Sequence, residues 1–229
     1  MTEEEKEIQR LWPDWIKDRT FFVGVDLGKQ RDHSALVVLE RRTRVYGPPR
    51  STDWGRKQET LLGVRLAERI KLGTPYQDVV TRVGQLVRSG DLSGNCRVAV
   101  DATGVGMPVV EMMKRAHYTC PIDPVVLTGG QMAHLTNGLW HVPKHELMTR
   151  LTVLLEGGRL KMGPRVSGAE VLFRELQGMR VKRESMGKTR IEAANVVGAH
   201  DDLVVALGLG CWAGCRDGRM TMTVAAGRG

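Results

Sequence analysis

Only four of the 229 residues are cysteine (Cys96, Cys120, Cys211 and Cys215), and no two of them form a C-x-x-C pair. Cys211 and Cys215 are four apart, but two soft ligands without a second pair are a poor basis for zinc, so all four are expected as reduced thiols. Histidine offers no better metal framework. His141 and His145 have H-x-x-x-H spacing, yet Pro143 stands between them and position 142 is Val, where a zinc hydrolase carries Glu. Aromatic residues are sparse, with three Phe and three Tyr beside five Trp. That disfavours a base-stacking platform for single strands and suits contact with a duplex backbone. Long apolar runs are also missing: the longest, from Leu203 to Ala213, is about half of the roughly 20 residues a membrane span needs. The acidic start, Met1 to Glu7, lacks the basic and apolar regions of a signal peptide. A cytoplasmic protein with no membrane partner is expected.

The chain carries a formal charge of +8 and a pI near 9.6, with 41% hydrophobic residues and a mean hydropathy of −0.24. Such a balance fits a globular domain with a polyanionic partner. The basic residues cluster. Arg180, Lys182, Arg183, Lys188 and Arg190 fall in one short stretch, Arg41, Arg42 and Arg44 in another, and Lys144 stands at an expected helix start.

Along the chain, residues 1–19 read as an amphipathic lead-in, with Ile8, Leu11, Trp12 and Trp15 at helix-like spacing. Residues 20–215 form the expected domain, and the glycine-rich basic tail 216–229 is expected to be mobile. Phe21 to Asp26 is an apolar run of strand length ending in a carboxylate. A turn containing Asp32 then leads into a returning strand from Ser34 to Leu39, and Leu61 to Ile70 alternates as a third. Thr74-Pro75-Tyr76-Gln77 supplies capping-box signals for a helix to about Val87. Arg97 to Val100 is a fourth strand that also ends in an acid, Asp101. A helix from Val109 to about His117 and a fifth strand from Ile122 to Leu127 follow. The pattern predicts an α/β fold with a five-stranded mixed sheet, strands 1–3 antiparallel and 4–5 parallel, flanked by helices. Further helices are expected from Lys144, burying Leu147, Leu151, Leu154 and Leu155, and over Ala169 to Leu176. A basic hairpin is expected between Gly178 and Glu192. The last helix, from Asp202, is apolar almost all round. Its Gly208 and Gly210 make sense where helix and sheet approach closely.

Acids thus recur at three element ends, Asp26, Asp101 and Asp202. Each could be an ordinary turn or capping residue. Brought together, they would repel and raise one another's pKa unless cations offset the charge. Hard oxygen ligands suit Mg2+ or Mn2+.

The order Val25-Asp26-Leu27-Gly28 with Asp32, Val100-Asp101-Ala102-Thr103-Gly104-Val105-Gly106, Leu127-Thr128-Gly129-Gly130 and His200-Asp201-Asp202-Leu203 resembles the nuclease domain of tailed-phage terminase large subunits. The resemblance implies an RNase H-like fold and an endonuclease that cuts viral DNA during packaging with two divalent ions, Mg2+ or Mn2+. It implies Asp26, Asp101 and Asp202 as principal metal ligands and catalytic residues, Asp32 and Asp201 as assisting ligands, and His200 beside the scissile phosphate. Double-stranded DNA would be the substrate, contacted by Lys144, Arg180, Lys182, Arg183, Lys188 and Arg190. Only about 20 residues precede the first expected strand, so a packaging ATPase and portal are expected as separate partners. Gly187-Lys188-Thr189 is no P-loop ending, since Lys182 stands where the first glycine belongs, and Val109 breaks the dinucleotide fingerprint. Two rival readings are an actin- or sugar-kinase-like phosphotransfer protein, which needs two such domains, and a non-catalytic DNA-binding module of the same fold.

Overall fold

A computed structural model describes residues 7, 11, 15–28, 32–48, 55–104, 106–183, 189–193 and 201–216. The chain begins with a meander of three long strands, β1 (Trp15–Asp26), β2 (Ala35–Tyr46) and β3 (Lys57–Arg69). Helix α1 (Tyr76–Val87) and a 3-10 turn lead to β4 (Cys96–Asp101), followed by α2 (Gly106–Arg115) and β5 (Ile122–Thr128). A small hairpin, β6 (His134–Thr136) and β7 (Leu139–Pro143), precedes α3 (Lys144–Glu156), β8 (Leu160–Ser167) and α4 (Ala169–Gly178). A separate two-stranded ribbon, β9 (Met179–Arg183) and β10 (Thr189–Ala193), comes before the last helix, α5 (Asp202–Arg216).

The main sheet runs β6-β7-β5-β4-β1-β2-β3-β8. Strands 1–3 pair antiparallel, and β4 and β5 are added in parallel through helical crossovers, as the alternation of patterns requires. The class is the expected one, but the sheet has eight strands rather than five. The three additions are β6, β7 and β8. The first two are short and turn at Asn137-Gly138, both with positive φ (51° and 75°), an Asn-Gly hairpin signal that is legible in the sequence. The third contains Gly163-Pro164 and is mostly exposed, which erases its alternation; it survives because it is an edge strand. Trp15, expected in the lead-in, already belongs to β1.

The sheet is covered on both faces, so β1 is an unbroken apolar run from Phe21 to Val25. One core lies between the sheet and α1 with α2, taking Phe21, Val23, Val25, Leu36, Val38, Val98 and Val100. The other lies under α5, α3 and α4 and takes Phe22, Val37, Leu39, Ala99, Leu147, Leu172, Leu207 and Trp212. In α3, Leu147, Leu151 and Leu154 are buried as expected, but Leu155 is 45% exposed because it falls one step outside the stripe. The capping box at Thr74 does not form: its hydroxyl donates to Lys71 O at 2.7 Å, and Pro75 occupies the cap position.

Helix α5 is the central pillar. A Cβ on Gly24 would stand 1.8 Å from the Ala206 carbonyl oxygen, so β1 and α5 touch backbone to backbone, and Gly210 abuts Gly24 N in the same contact. At the far end, Arg216, expected in the mobile tail, is the last residue of α5. Its guanidinium donates to Asp123 at 2.7 Å and lies over the rings of Trp140 and Trp212.

Candidate active site

Register alone brings the first two acids together. Val25 pairs with Val100 in the parallel β1–β4 ladder, so Asp26 and Asp101 stand one step further at the same level of neighbouring strands, roughly 4.8 Å apart at the backbone. Side chains alternate between faces. Val23, Val25, Val98 and Val100 point toward α1 and α2, whereas Phe22 and Ala99 point toward α5. Asp26 and Asp101 therefore share the α5 face.

The third acid arrives by helix direction. Gly214 lies against Phe22, and Ala206 and Gly210 lie against Gly24. Each two-residue step along β1 is about 7 Å and matches roughly four residues of helix at 1.5 Å each. One more such step places the start of α5, Asp201 and Asp202, at Asp26.

The electrostatics agree with this placement. Burial pushes the Asp26 carboxyl well above the usual Asp range, and the charges of Asp101, Asp202 and Asp201 push it the same way, while Lys144 opposes them. Asp202 is 7% exposed. Lys144 Nζ donates to Asp201 Oδ2 at 3.1 Å, so this lysine, expected as a DNA contact, sits on the rim of the acidic cluster. Asp101 Oδ1 accepts from Thr103 N–H at 2.7 Å, and Thr103 Oγ1 accepts from Leu127 N–H at 2.9 Å, which fixes the loop after β4 against β5. Gly106 is required there, since a Cβ would meet Asp101 O at 2.4 Å. Asp32 is exposed in the β1–β2 turn.

One carboxylate escapes sequence reasoning. Glu175, on α4, accepts from Leu203 N–H at 3.0 Å and Val204 N–H at 3.4 Å, capping α5 from outside its own chain segment. Burial and the charge of Asp202 raise its carboxyl, and the bonded Arg69 guanidinium opposes them. Its signal is an acid three residues after Leu172, on the apolar side of a helix.

Other sequence candidates are placed as follows. Arg180, Lys182, Arg183 and Arg190 lie on the β9–β10 ribbon, with Lys182 opposite Arg190, and β10 lies against α3. Lys188 and His200 lie outside the described residues. His141 stacks on His134 with ring centroids 4.9 Å apart. Among the described residues, no three His, Cys, Asp or Glu side chains converge tightly enough to hold a metal ion in this arrangement. The chemistry of the donor set nonetheless fits one: four carboxylates at the C-terminal ends of the central strands β1 and β4 and the start of α5, at least one of them with heightened proton affinity from burial and mutual repulsion. No helix is long and apolar enough to cross a membrane among the described residues.

No protein-family model and no curated protein matches the sequence. Among solved structures, the chain is similar to a point mutant of the nuclease domain of the large terminase subunit gp2 of bacterial virus Sf6, solved with manganese and beta-thujaplicinol. The two share 12% identity with a TM-score of 0.55, over 84% of this chain and 87% of that one. The chain has the RNase H-like fold of a terminase nuclease domain.

Proposed function

We propose that the protein is a metal-dependent endonuclease that hydrolyses phosphodiester bonds in double-stranded DNA, a terminase-like nuclease for cutting viral DNA during packaging. The observation that supports this reading is that Asp26 and Asp101 end the neighbouring central strands β1 and β4 while Asp202 begins the helix packed on them, with the charges of Asp101 and Asp202 acting on Asp26. The manganese in the Sf6 neighbour is consistent with it.

Asp26, Asp101 and Asp202 would hold two Mg2+ or Mn2+ ions, with Asp32 and Asp201 assisting. Bound cations would supply Lewis-acid stabilisation of charge on the phosphate and lower the pKa of the attacking water. The residues of the chain do the rest. The parallel β1–β4 pair fixes two carboxylates rigidly, and α5, capped by Glu175 and packed on Gly24, fixes the third. Lys144 keeps Asp201 oriented and offsets part of the cluster's negative charge before DNA arrives. His200 would stand beside the scissile phosphate. The ribbon residues Arg180, Lys182, Arg183, Lys188 and Arg190 would hold the duplex by its phosphates, with Lys144 at the edge of the site. A separate packaging ATPase and portal would supply translocation, and the site of action would be the host cytoplasm.

The test is incubation with supercoiled plasmid, with and without Mn2+ or Mg2+. Nicking and linearisation that require metal and vanish in Asp101→Asn support the reading; equal cleavage by a well-folded Asp101→Asn protein sinks it.

A further inference from the structure

The face of the sheet away from the acidic site carries a second charged assembly. Alternation puts Arg19 on the side of Phe21 and Val23, and Glu40, Arg42 and Arg44 on the side of Leu36 and Val38. Arg41, between them, faces the other way and is fully buried, donating to Gly214 O at 2.9 Å. On the outer row, Glu40 is 1% exposed, yet three guanidinium groups share its two oxygens: Arg19 and Arg42 bond Oε1, and Arg65 bonds Oε2. These bonds hold the Glu40 carboxyl below its usual range against the effect of burial.

The arrangement keeps like charges together. Arg19 and Arg42 are direct cross-strand partners, a pairing that is unfavourable in itself. One buried carboxylate can neutralise one of the three. Arg44 extends the row over the Tyr46 ring, and Lys161, exposed on β8, falls on the same face through its pairing with Gly63, which pairs with Glu40. Asp91 and Glu59 offset part of the charge, through Arg19 and Arg44. The four arginine side chains nevertheless remain 41–45% exposed, in a row that crosses β1, β2 and β3 and is continued by Lys161 on β8.

We propose that this face is a second binding surface for the sugar-phosphate backbone of duplex DNA. It engages a segment other than the one at the acidic site. Guanidinium forks pre-oriented by a buried carboxylate match phosphate oxygens, and Arg keeps its charge at any working pH. A protein partner fits less well, because Ile16, opposite Arg44, is the one exposed large hydrophobic that the register places there among the described residues. Arg19 is seven residues from Asp26 along β1, about 23 Å, and on the opposite face. A stiff duplex cannot lie along both at once. The identity of the anion as DNA rests on the nuclease reading; the existence of an anion site on this face does not.

The experiment counts sites. A labelled duplex of about 12 base pairs, far shorter than the roughly 150-base-pair persistence length, is titrated against the protein in low salt with Ca2+ present to offset the acids, with sedimentation as readout and the duplex recovered uncut. Two duplexes per chain are expected. The variant R42Q/R44Q/K161Q, which leaves Glu40 bonded to Arg19 and Arg65, should melt as the wild type does and hold one. Its remaining site should keep the wild-type affinity. Unchanged stoichiometry in the variant, or displacement by polyglutamate at matched charge of the duplex that the variant loses, would overturn the proposal; one duplex on the wild type and none on the variant keeps this surface and removes the one at the acidic site. Plasmid cleavage in Mn2+, scored separately on the wild type, reports on the nuclease reading alone: a chain that holds two duplexes but cuts none keeps the second surface and loses the enzyme.

Discussion

Asp26 is the residue on which stability and function pull in opposite directions. Its carboxyl is raised by burial and by the neighbouring acids, so the folded state holds the proton more tightly than the unfolded one. Below the ordinary value of 3.8 both states are protonated and the group costs nothing. As pH rises from there through the raised folded value, stability is lost, at about 1.4 kcal/mol for each tenfold change in proton affinity. Asp26→Asn is therefore expected to raise the urea midpoint of the metal-free protein at pH 7.5 and to leave it unchanged near pH 3. A lower midpoint for the variant at pH 7.5 would show that Asp26 is stabilised by a partner rather than strained by its neighbours. Glu175 behaves differently, because it caps two N–H groups and holds Arg69. Glu175→Ala should cost about 1–3 kcal/mol and slow cleavage by loosening Asp202, whereas Glu175→Gln, which keeps an acceptor oxygen, should restore most of both. Asp26, Asp101 and Asp202 stand out in the sequence because each ends or begins an element. Glu175 is harder to see, because its role depends on a helix 28 residues away in the chain.

At the scale of elements, the β1–α5 contact decides whether the site assembles. A methyl group on Gly24 would collide with backbone, the Ala206 carbonyl at 1.8 Å, and nothing flexible can yield. Gly24→Ala should destabilise by more than about 3 kcal/mol, at the upper end of overpacking effects, and abolish metal-dependent cleavage. Gly210→Ala meets the Leu39 side-chain terminus at 3.0 Å and should be far milder, a contrast that urea titration of both variants measures directly. Gly210 inside α5 signals the close approach to the sheet in the sequence, whereas Gly208, expected in the same contact, faces Leu147 of α3; strand periodicity signals the meander and crossovers. The three outer strands escape such reading for physical reasons: β6 and β7 are too short for a pattern, and β8 is exposed on most positions, so burial imposes no alternation on it. The basic ribbon is the hairpin that alternation around Ser185-Met186-Gly187 implies. Neutralising Arg180, Lys182 and Arg190 should weaken binding to all duplex sequences alike and flatten the log-log salt dependence by roughly one unit for each phosphate no longer neutralised; weakening confined to one sequence would contradict backbone recognition.

The whole molecule is a positively charged body with one acidic edge. That contrast is what a polyanion-cleaving enzyme needs: the charge of +8 would draw DNA in, and the acids would repel it unless cations stand between them. The central claim is that this edge binds divalent cations through Asp26, Asp101 and Asp202. It is tested most directly by counting bound Mn2+ from the electron paramagnetic resonance signal of the free ion during titration. The account predicts two ions per wild-type chain, with loss of at least one in each of Asp26→Asn, Asp101→Asn and Asp202→Asn, and no change on adding ATP. Saturating Mn2+ should also raise the melting temperature of the wild type more than that of any of the three variants, each lost site removing the equivalent of about 2.7 kcal/mol at a hundredfold excess over its dissociation constant. Wild-type protein that leaves all the Mn2+ free, or that takes it up only together with ATP, would contradict the account.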